Sequence, residues 1–257
     1  MSKGNNAGEF YEGIAGYYDA MTQFAKRLKR ERAVIRRWIK KYHFREVLDL
    51  ACGTGLHTIL LNQLAVKASG ADPSTTLLKK ARSHARDAGL KIRFFTASFQ
   101  NIAEKALEKY NTVLILGNSL AHILTREELN QSFQQIANVM RGNAKLIIQI
   151  LNFTRICNQK ERIIAVTKSG KQEYIRFYDF LDPLIRFNIL HVDWHKNAGY
   201  SLNSTLLYPY TISELTKALQ ENGFTMVEAY GAMNFEEYHP EKSKDLIIVC
   251  KKEGSNA

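Results

Sequence analysis

Val47-Leu48-Asp49-Leu50-Ala51-Cys52-Gly53-Thr54-Gly55 is an apolar run that passes straight into a glycine-rich turn. Val47, Leu48 and Leu50 suit a parallel strand covered on both faces. Gly53 and Gly55 let the backbone turn sharply and let a ligand approach the main chain closely. From residue 56 to 64 the apolar spacing becomes helical, so the unit is strand, glycine-rich loop, helix. In an open α/β sheet such a unit places ligands beside the carboxyl ends of the strands. A nicotinamide fingerprint would require a third glycine, and position 58 holds Thr58. A ligand-free turn that needs its glycines only for shape is the competing reading.

Outward from this turn the pattern continues with a strand at 65–71, a helix at 74–88 closed by Gly89, a strand at 92–97 and a short helix at 102–108. A strand at 112–117, a helix at 126–140 and a strand at 144–151 follow. This alternation implies βαβ units and a parallel sheet, and right-handed crossovers make the sheet doubly wound. Between 152 and 207 the pattern changes to period two, at 162–166, 173–178, 185–192 and 200–206. Turns are expected at Lys168-Ser169-Gly170-Lys171 and Lys196-Asn197-Ala198-Gly199, so this segment reads as a small antiparallel β insertion beside the active-site edge. Thr211 with Glu214 forms a capping box for a helix to about 222, and strands at 225–230 and 245–251 close the sheet.

Before the quoted stretch, residues to about Gly8 read as a disordered tail, followed by an aromatic segment from Phe10 to Asp19. An amphipathic helix is expected over 26–41, with Ala33, Val34, Trp38 and Ile39 opposed to Arg30, Arg36, Arg37, Lys40 and Lys41. The expected organisation is a tail and helical cap (1–45), a cofactor-binding domain (46–151 with 208–257) and the insertion on the substrate side (152–207).

The chain has 257 residues, enough for one large α/β domain with an insertion. It contains no apolar run of membrane-spanning length and no apolar segment after Met1, which points to a cytoplasmic protein. Three separated cysteines, Cys52, Cys157 and Cys250, suggest neither a disulfide framework nor a cysteine zinc site. His191, Asp193 and His195 share one face of a strand, but no further motif converges on them, so no metal is expected. The formal charge of +11 raises RNA as a partner. Much of the excess lies on the solvated face of the 26–41 helix, and no basic-aromatic recognition module accompanies it, which disfavours nucleic acid. Self-association is left open.

Asp49 followed by Ala51-Cys52-Gly53-Thr54-Gly55, with Gly70-Ala71-Asp72-Pro73-Ser74 one βα unit later, resembles the first two motifs of class I S-adenosylmethionine-dependent methyltransferases. The resemblance implies a Rossmann-like, seven-stranded, mostly parallel sheet with one antiparallel strand, and S-adenosylmethionine as cofactor. It places Asp72 on the ribose hydroxyls. Leu116-Gly117-Asn118-Ser119-Leu120-Ala121-His122 is similar to the corresponding segment of glycine and glycine/sarcosine N-methyltransferases. By that resemblance Asn118 contacts the substrate or the methionine part of the cofactor, His122 approaches the cofactor, and Tyr17 and Tyr18 belong to a segment that folds over the site. The alternatives are a helix cap for Asn118 and Ser119, a core role for His122, and packing anchors for the two tyrosines.

Arg27, with Arg30 as alternative, aligns with the residue that holds the cofactor's carboxylate, and Ser98-Phe99 stands where the family has an adenine-binding acid. Leu151 occupies the place of an arginine that pairs with a substrate carboxylate, leaving Arg155 or Arg176 as replacements among the substrate-side residues Asn152, Arg155, Arg176 and Tyr178. Tyr174, Phe177 and Tyr178 offer either an aromatic surface for a ligand or an ordinary inter-sheet core, and an apolar Leu151 wall would favour a hydrophobic acceptor. The resulting expectation is direct methyl transfer to a small molecule, an amine first. RNA methylation and a non-catalytic cofactor-binding subunit are the alternatives.

Overall fold

In the computed structural model, which describes residues 7–195 and 199–254, the quoted stretch opens as strand β1 (Glu46–Leu50). It pairs in parallel with β2 (Lys67–Asp72) on one side and β4 (Tyr110–Ile115) on the other. Strands β3 (Phe94–Thr96) and β5 (Met140–Leu151) extend the parallel sheet outward. Beyond β5 come β11 (Asp245–Lys252), antiparallel to it, and β10 (Phe224–Tyr230), antiparallel to β11. The resulting order β10-β11-β5-β4-β1-β2-β3 is the expected seven-stranded sheet with one antiparallel member. The chain winds outward from β1 to β3 and then returns to lay β4 on the other side of β1. That reversal opens a crevice above β1 and β4.

Alternate residues of the central strands serve two apolar layers. Leu48, Leu146 and Ile148 face one cluster with Phe133 and Ile136 of helix α7 (Arg126–Val139), while Val47 and Ile147 face another with Trp38. Trp38 belongs to α3 (Phe24–Tyr42), whose buried stripe is Ile35, Trp38 and Tyr42, at three- and four-residue spacing. The expected buried Ala33 is exposed instead. Among the described residues no helix is long and apolar enough to cross a membrane.

A second, antiparallel sheet contains β6 (Ile163–Ser169), β7 (Gln172–Leu181), β8 (Leu184–Asp193) and β9 (Gly199–Leu207) in that order. The β7–β8 turn holds a cis Asp182–Pro183 bond. Tyr174 and Ile189 of this sheet bury with Phe10 and Ile14 of α1 (Ala7–Ile14) and Met21 of α2 (Tyr18–Thr22). The N-terminal segment is therefore clamped to the insertion.

The structure corrects several boundaries. Ala7 and Gly8 lie in α1 rather than in a tail, because Phe10 and Ile14 give that segment an apolar face to bury; residues 1–6 fall outside the description. The segment after 152 does not begin in β structure: α8 (Phe153–Gln159) starts it, with the Asn152 side chain capping the Arg155 N–H. β5 begins at Met140, directly after α7, and β2 begins two residues late because Ala65 adopts a left-handed φ of 61°. The capping box at Thr211 and Glu214 is present on α9 (Ile212–Glu221). The turn expected at residues 196–198 lies outside the described residues.

Candidate cofactor and methyl-transfer site

The floor of the site is the turn between β1 and α4 (Leu56–Gln63). Gly53 and Gly55 have φ of 56° and 85°, and a side chain on Gly55 would meet Ala81 and Phe94 at 3.1 Å. The Cys52 N–H donates to the Ala71 carbonyl at 3.0 Å, tying the turn to the end of β2. Asp49 accepts from the Thr58 N–H at 3.0 Å and the Thr58 hydroxyl at 2.6 Å, which ties it to α4. Asp72 accepts from the Gly53 N–H at 2.8 Å and the Ser74 N–H at 2.9 Å. Burial raises the Asp72 carboxyl and these two backbone donors pull it back, leaving it at about 6.

Above this floor lies a cavity of about 300 Å³ with Asp72 and Pro73 in its wall, Ser98 and Phe99 toward β3, and Tyr11, Tyr18 and His122 toward the insertion. A second space of about 50 Å³ continues past Tyr18 and Ala51 and is bounded by Arg27, Asp49, Cys52, Thr54, Leu116 and Gly117. The first suits a nucleoside, with a carboxylate ready to accept from ribose hydroxyls on its remaining lone pairs. The second, with a guanidinium and a carboxylate at its rim, suits an amino-acid zwitterion. S-adenosylmethionine is a nucleoside joined to an amino acid, and these residues fit it. Arg27 donates to Glu31 at 2.7 and 3.3 Å, and His57 meets the same carboxylate at 3.1 Å. Burial works to raise the Glu31 carboxyl, but the His57 and Arg27 bonds outweigh it and bring it to about 2. Arg30 lines a separate cavity, so Arg27 is the better placed of the two.

At the far end of the larger cavity the Tyr11 hydroxyl and His122 Nε2 lie 2.9 Å apart, and His122 Nδ1 has no partner among the described residues. Burial lowers His122 to about 4, so the imidazole is neutral at physiological pH. Burial also raises Tyr11, and raises Tyr18 to about 12 with help from Asp72, so both hydroxyls keep their protons. Arg176 stands on β7 and forms no wall of either space; Tyr18, Tyr178 and Arg27 are the groups that act on it electrostatically. Its Nε is buried without a partner among the described residues, and burial lowers its pKa. A guanidinium stays charged even so.

Tyr18, Arg27, Asp49, Ala51, Cys52, Gly53, Thr54, Asp72, Pro73, Ser98, Phe99, Leu116, Gly117 and His122 thus gather around two adjoining spaces. Other expected site residues lie elsewhere. Tyr17 turns into the insertion, where Asn203 donates to its hydroxyl at 3.0 Å and the rings of His191 and Tyr174 lie 4.4 and 5.3 Å away. Gly55 sits beneath the turn, its N–H on the Cys52 carbonyl. Asn118 accepts from the Leu151 N–H at 2.9 Å and forms no wall of either space. Asn152 is buried in bonds to Tyr238 and to the Pro240 and Ser243 carbonyls. Arg155 pairs with Glu161 at 2.7 Å, and Tyr178 packs between Phe153 and Phe187. Leu151 packs on the main core and lines neither cofactor space.

Sequence alone did not single out Tyr11, Gln100 or Glu12. Glu12 accepts from the Ser74 hydroxyl at 2.6 Å and the Thr76 hydroxyl at 2.5 Å, fastening α1 over the cavity at the start of α5 (Thr75–Asp87). The signal for Tyr11 was its place seven residues before Tyr18 in the aromatic segment, two helical turns apart. Among the described residues, no group of three or more His, Cys, Asp or Glu side chains is arranged to hold a metal.

Residues 47–143 match the methyltransferase domain family. A glycine/sarcosine N-methyltransferase from Aphanothece halophytica is 24% identical over 251 residues, covering 95% of this chain and 90% of that protein. An S-adenosylmethionine-dependent methyltransferase from Clostridium acetobutylicum superposes with a TM-score of 0.79 at 18% identity, over 95% of this chain and 99% of that one. The sugar N-methyltransferase KedS8 from Streptoalloteichus superposes with a TM-score of 0.68 at 18% identity, covering 98% of this chain and 96% of its own. The two motifs lie on the crevice of a seven-stranded sheet, residues 47–143 match a methyltransferase domain, and the chain has the fold of the class I S-adenosylmethionine-dependent methyltransferases.

Proposed function

We infer that the protein methylates the nitrogen of a small amine that also carries an anionic group, and that Arg176 holds that group. The observation that carries this reading is the Arg176 guanidinium, partly buried, without an ion-pair partner among the described residues, and in the electrostatic reach of Tyr18. A buried cation left unpaired is costly, so a site that keeps one is suited to an anionic ligand, which a guanidinium binds with paired N–H donors. This revises the expectation of a hydrophobic acceptor. That expectation needed Leu151 in the wall, and Leu151 packs on the core instead. The small-amine relatives support the same class of substrate.

S-adenosylmethionine, held by Asp72, Gly53 and Arg27, would supply a sulfonium methyl group: a substrate amine would form the N–C bond as the S–C bond breaks, with the bonding pair leaving on sulfur and one proton lost from nitrogen. The protein's part is then to position and to shield from water. Tyr11 and Tyr18 supply neutral hydroxyls beside the reacting end, and neutral His122 offers an imidazole nitrogen that can accept a hydrogen bond from the amine and orient it.

The test is methyl transfer from labelled S-adenosylmethionine into a metabolite extract, with the product identified by mass spectrometry and then compared in matched amines with and without a carboxylate or phosphate. Preference for the anionic amine, lost in Arg176→Leu, supports the reading. Equal turnover of both, or transfer only to RNA with a steep loss of binding as salt rises, rejects it.

A further inference from the structure

We propose that Gln149 and Asp245 are positioning residues for the cofactor, acting as a hydrogen-bonded relay that holds the Gly117 backbone against its methionine end. Gly117 and Asn118 leave β4 with φ of 74° and 68°, two successive left-handed residues of which the second carries a side chain. Such a backbone persists only where its surroundings hold it. β5 supplies three bonds. The Gly117 N–H donates to Gln149 Oε1 at 2.6 Å, the Asn118 N–H donates to the Gln149 carbonyl at 3.2 Å, and the Leu151 N–H donates to the Asn118 side-chain oxygen at 2.9 Å.

The first bond depends on which way the Gln149 amide faces, and Asp245 decides that. Gln149 Nε2 donates to Asp245 Oδ1 at 2.8 Å, so the amide oxygen is the end presented to Gly117. A carboxylate accepts only, and the reverse orientation would set an oxygen against an oxygen at one end and an N–H against an N–H at the other. Asp245 opens β11, the antiparallel neighbour of β5, and its register places it opposite Leu151. Gln149 and Asp245 face a cavity of about 470 Å³ on the α3 side, while Leu116 and Gly117 form the wall of the methionine space. Neither side chain borders that space, so their influence on the cofactor passes through the main chain of Gly117. The chain thus uses the sheet's one antiparallel strand to set the turn after β4.

Calorimetric titration of S-adenosylmethionine tests the relay without reference to the methyl acceptor. Gln149→Glu puts two carboxylates together with no proton between them, and its Kd should rise about tenfold. Adding Asp245→Asn should restore it to within about twofold of wild type. The amide introduced on β11 would then donate to the carboxylate introduced on β5, which still accepts from Gly117, so both bonds return with the second one reversed. Rescue of this kind is not the behaviour of residues that merely fill space. Wild-type affinity in Gln149→Glu, or a double variant no better than the single one, would overturn the proposal. Should Gln149→Glu not fold, Gln149→Met, which keeps the length and drops the amide, replaces it; unchanged affinity there also overturns the relay, and a loss of about tenfold sustains it.

Discussion

The two walls of the site are built differently. The cofactor wall is fixed by one turn: Asp72 is held by two backbone N–H groups and Asp49 by the Thr58 N–H and hydroxyl, all within a βαβ unit. The opposite wall is side chains from segments far apart, Tyr11 and Tyr18 ahead of the sheet and His122 beyond β4, to which the proposed reading adds Arg176 of the insertion. Its contacts are ring packing and single hydrogen bonds such as Tyr11 to His122. A wall fixed in this way tolerates little change, because altering it alters the turn. A wall of side chains can be rewritten residue by residue while the sheet stays intact.

Substitutions should separate the walls. The largest effect is expected from Gly55→Val, in the turn beneath the cofactor wall. Its φ of 85° and the 3.1 Å approach to Ala81 and Phe94 leave no room for a branched side chain. Strain and overpacking together should cost about 2–5 kcal/mol, seen as a fall in Tm on the order of 10 °C. On the opposite wall, Arg176→Leu should leave Tm and cofactor affinity nearly unchanged and lower kcat/KM for the anionic amine roughly 10- to 150-fold, the loss of one charged hydrogen-bonding partner. A parallel loss of cofactor affinity would mean the walls are not separable.

A smaller effect is expected from pH. Asp72 stands at about 6 in the fold against an ordinary 3.8, so the folded state binds its proton more tightly than the unfolded chain does. Its contribution to folding is therefore present at low pH and is lost as pH rises through about 6. Cofactor binding runs the other way, since ribose hydroxyls donate to the ionised form. The Kd should rise as pH falls below about 6, approaching tenfold per unit, and that slope should vanish in Asp72→Ala. Least of all, Tyr17→Phe should lose the Asn203 bond, cost about 0.5–1.5 kcal/mol of stability in denaturant unfolding, and leave cofactor affinity unchanged.

The same division explains what was legible in the sequence. Val47 to Gly55 and Gly70 to Ser74 announce their turns because glycines and short acidic residues are required at fixed offsets, and the strand and helix order around them follows from periodicity. Tyr17 and Tyr18 are adjacent and chemically alike; only the helical start at Tyr18 sends one to the cavity and the other to His191 and Tyr174. Asn152 looked polar enough to meet a substrate, yet it caps α8 and holds the 240–243 loop, a use that depends on strands nearly a hundred residues away. Arg155 and Arg176 are indistinguishable in sequence; Glu161 pairs with the first, and among the described residues no carboxylate pairs with the second.

The central claim is that the cofactor lies across the two spaces with its ribose on Asp72. Calorimetric titration of S-adenosylmethionine into wild-type protein and Asp72→Ala at about pH 7.5, with Tm recorded for both, tests it most directly. Binding to the wild type with a Kd raised roughly 10- to 150-fold in the variant, the loss of about 1.5–3 kcal/mol from a charged acceptor, is the predicted result. Equal affinity in a folded Asp72→Ala protein would contradict the claim.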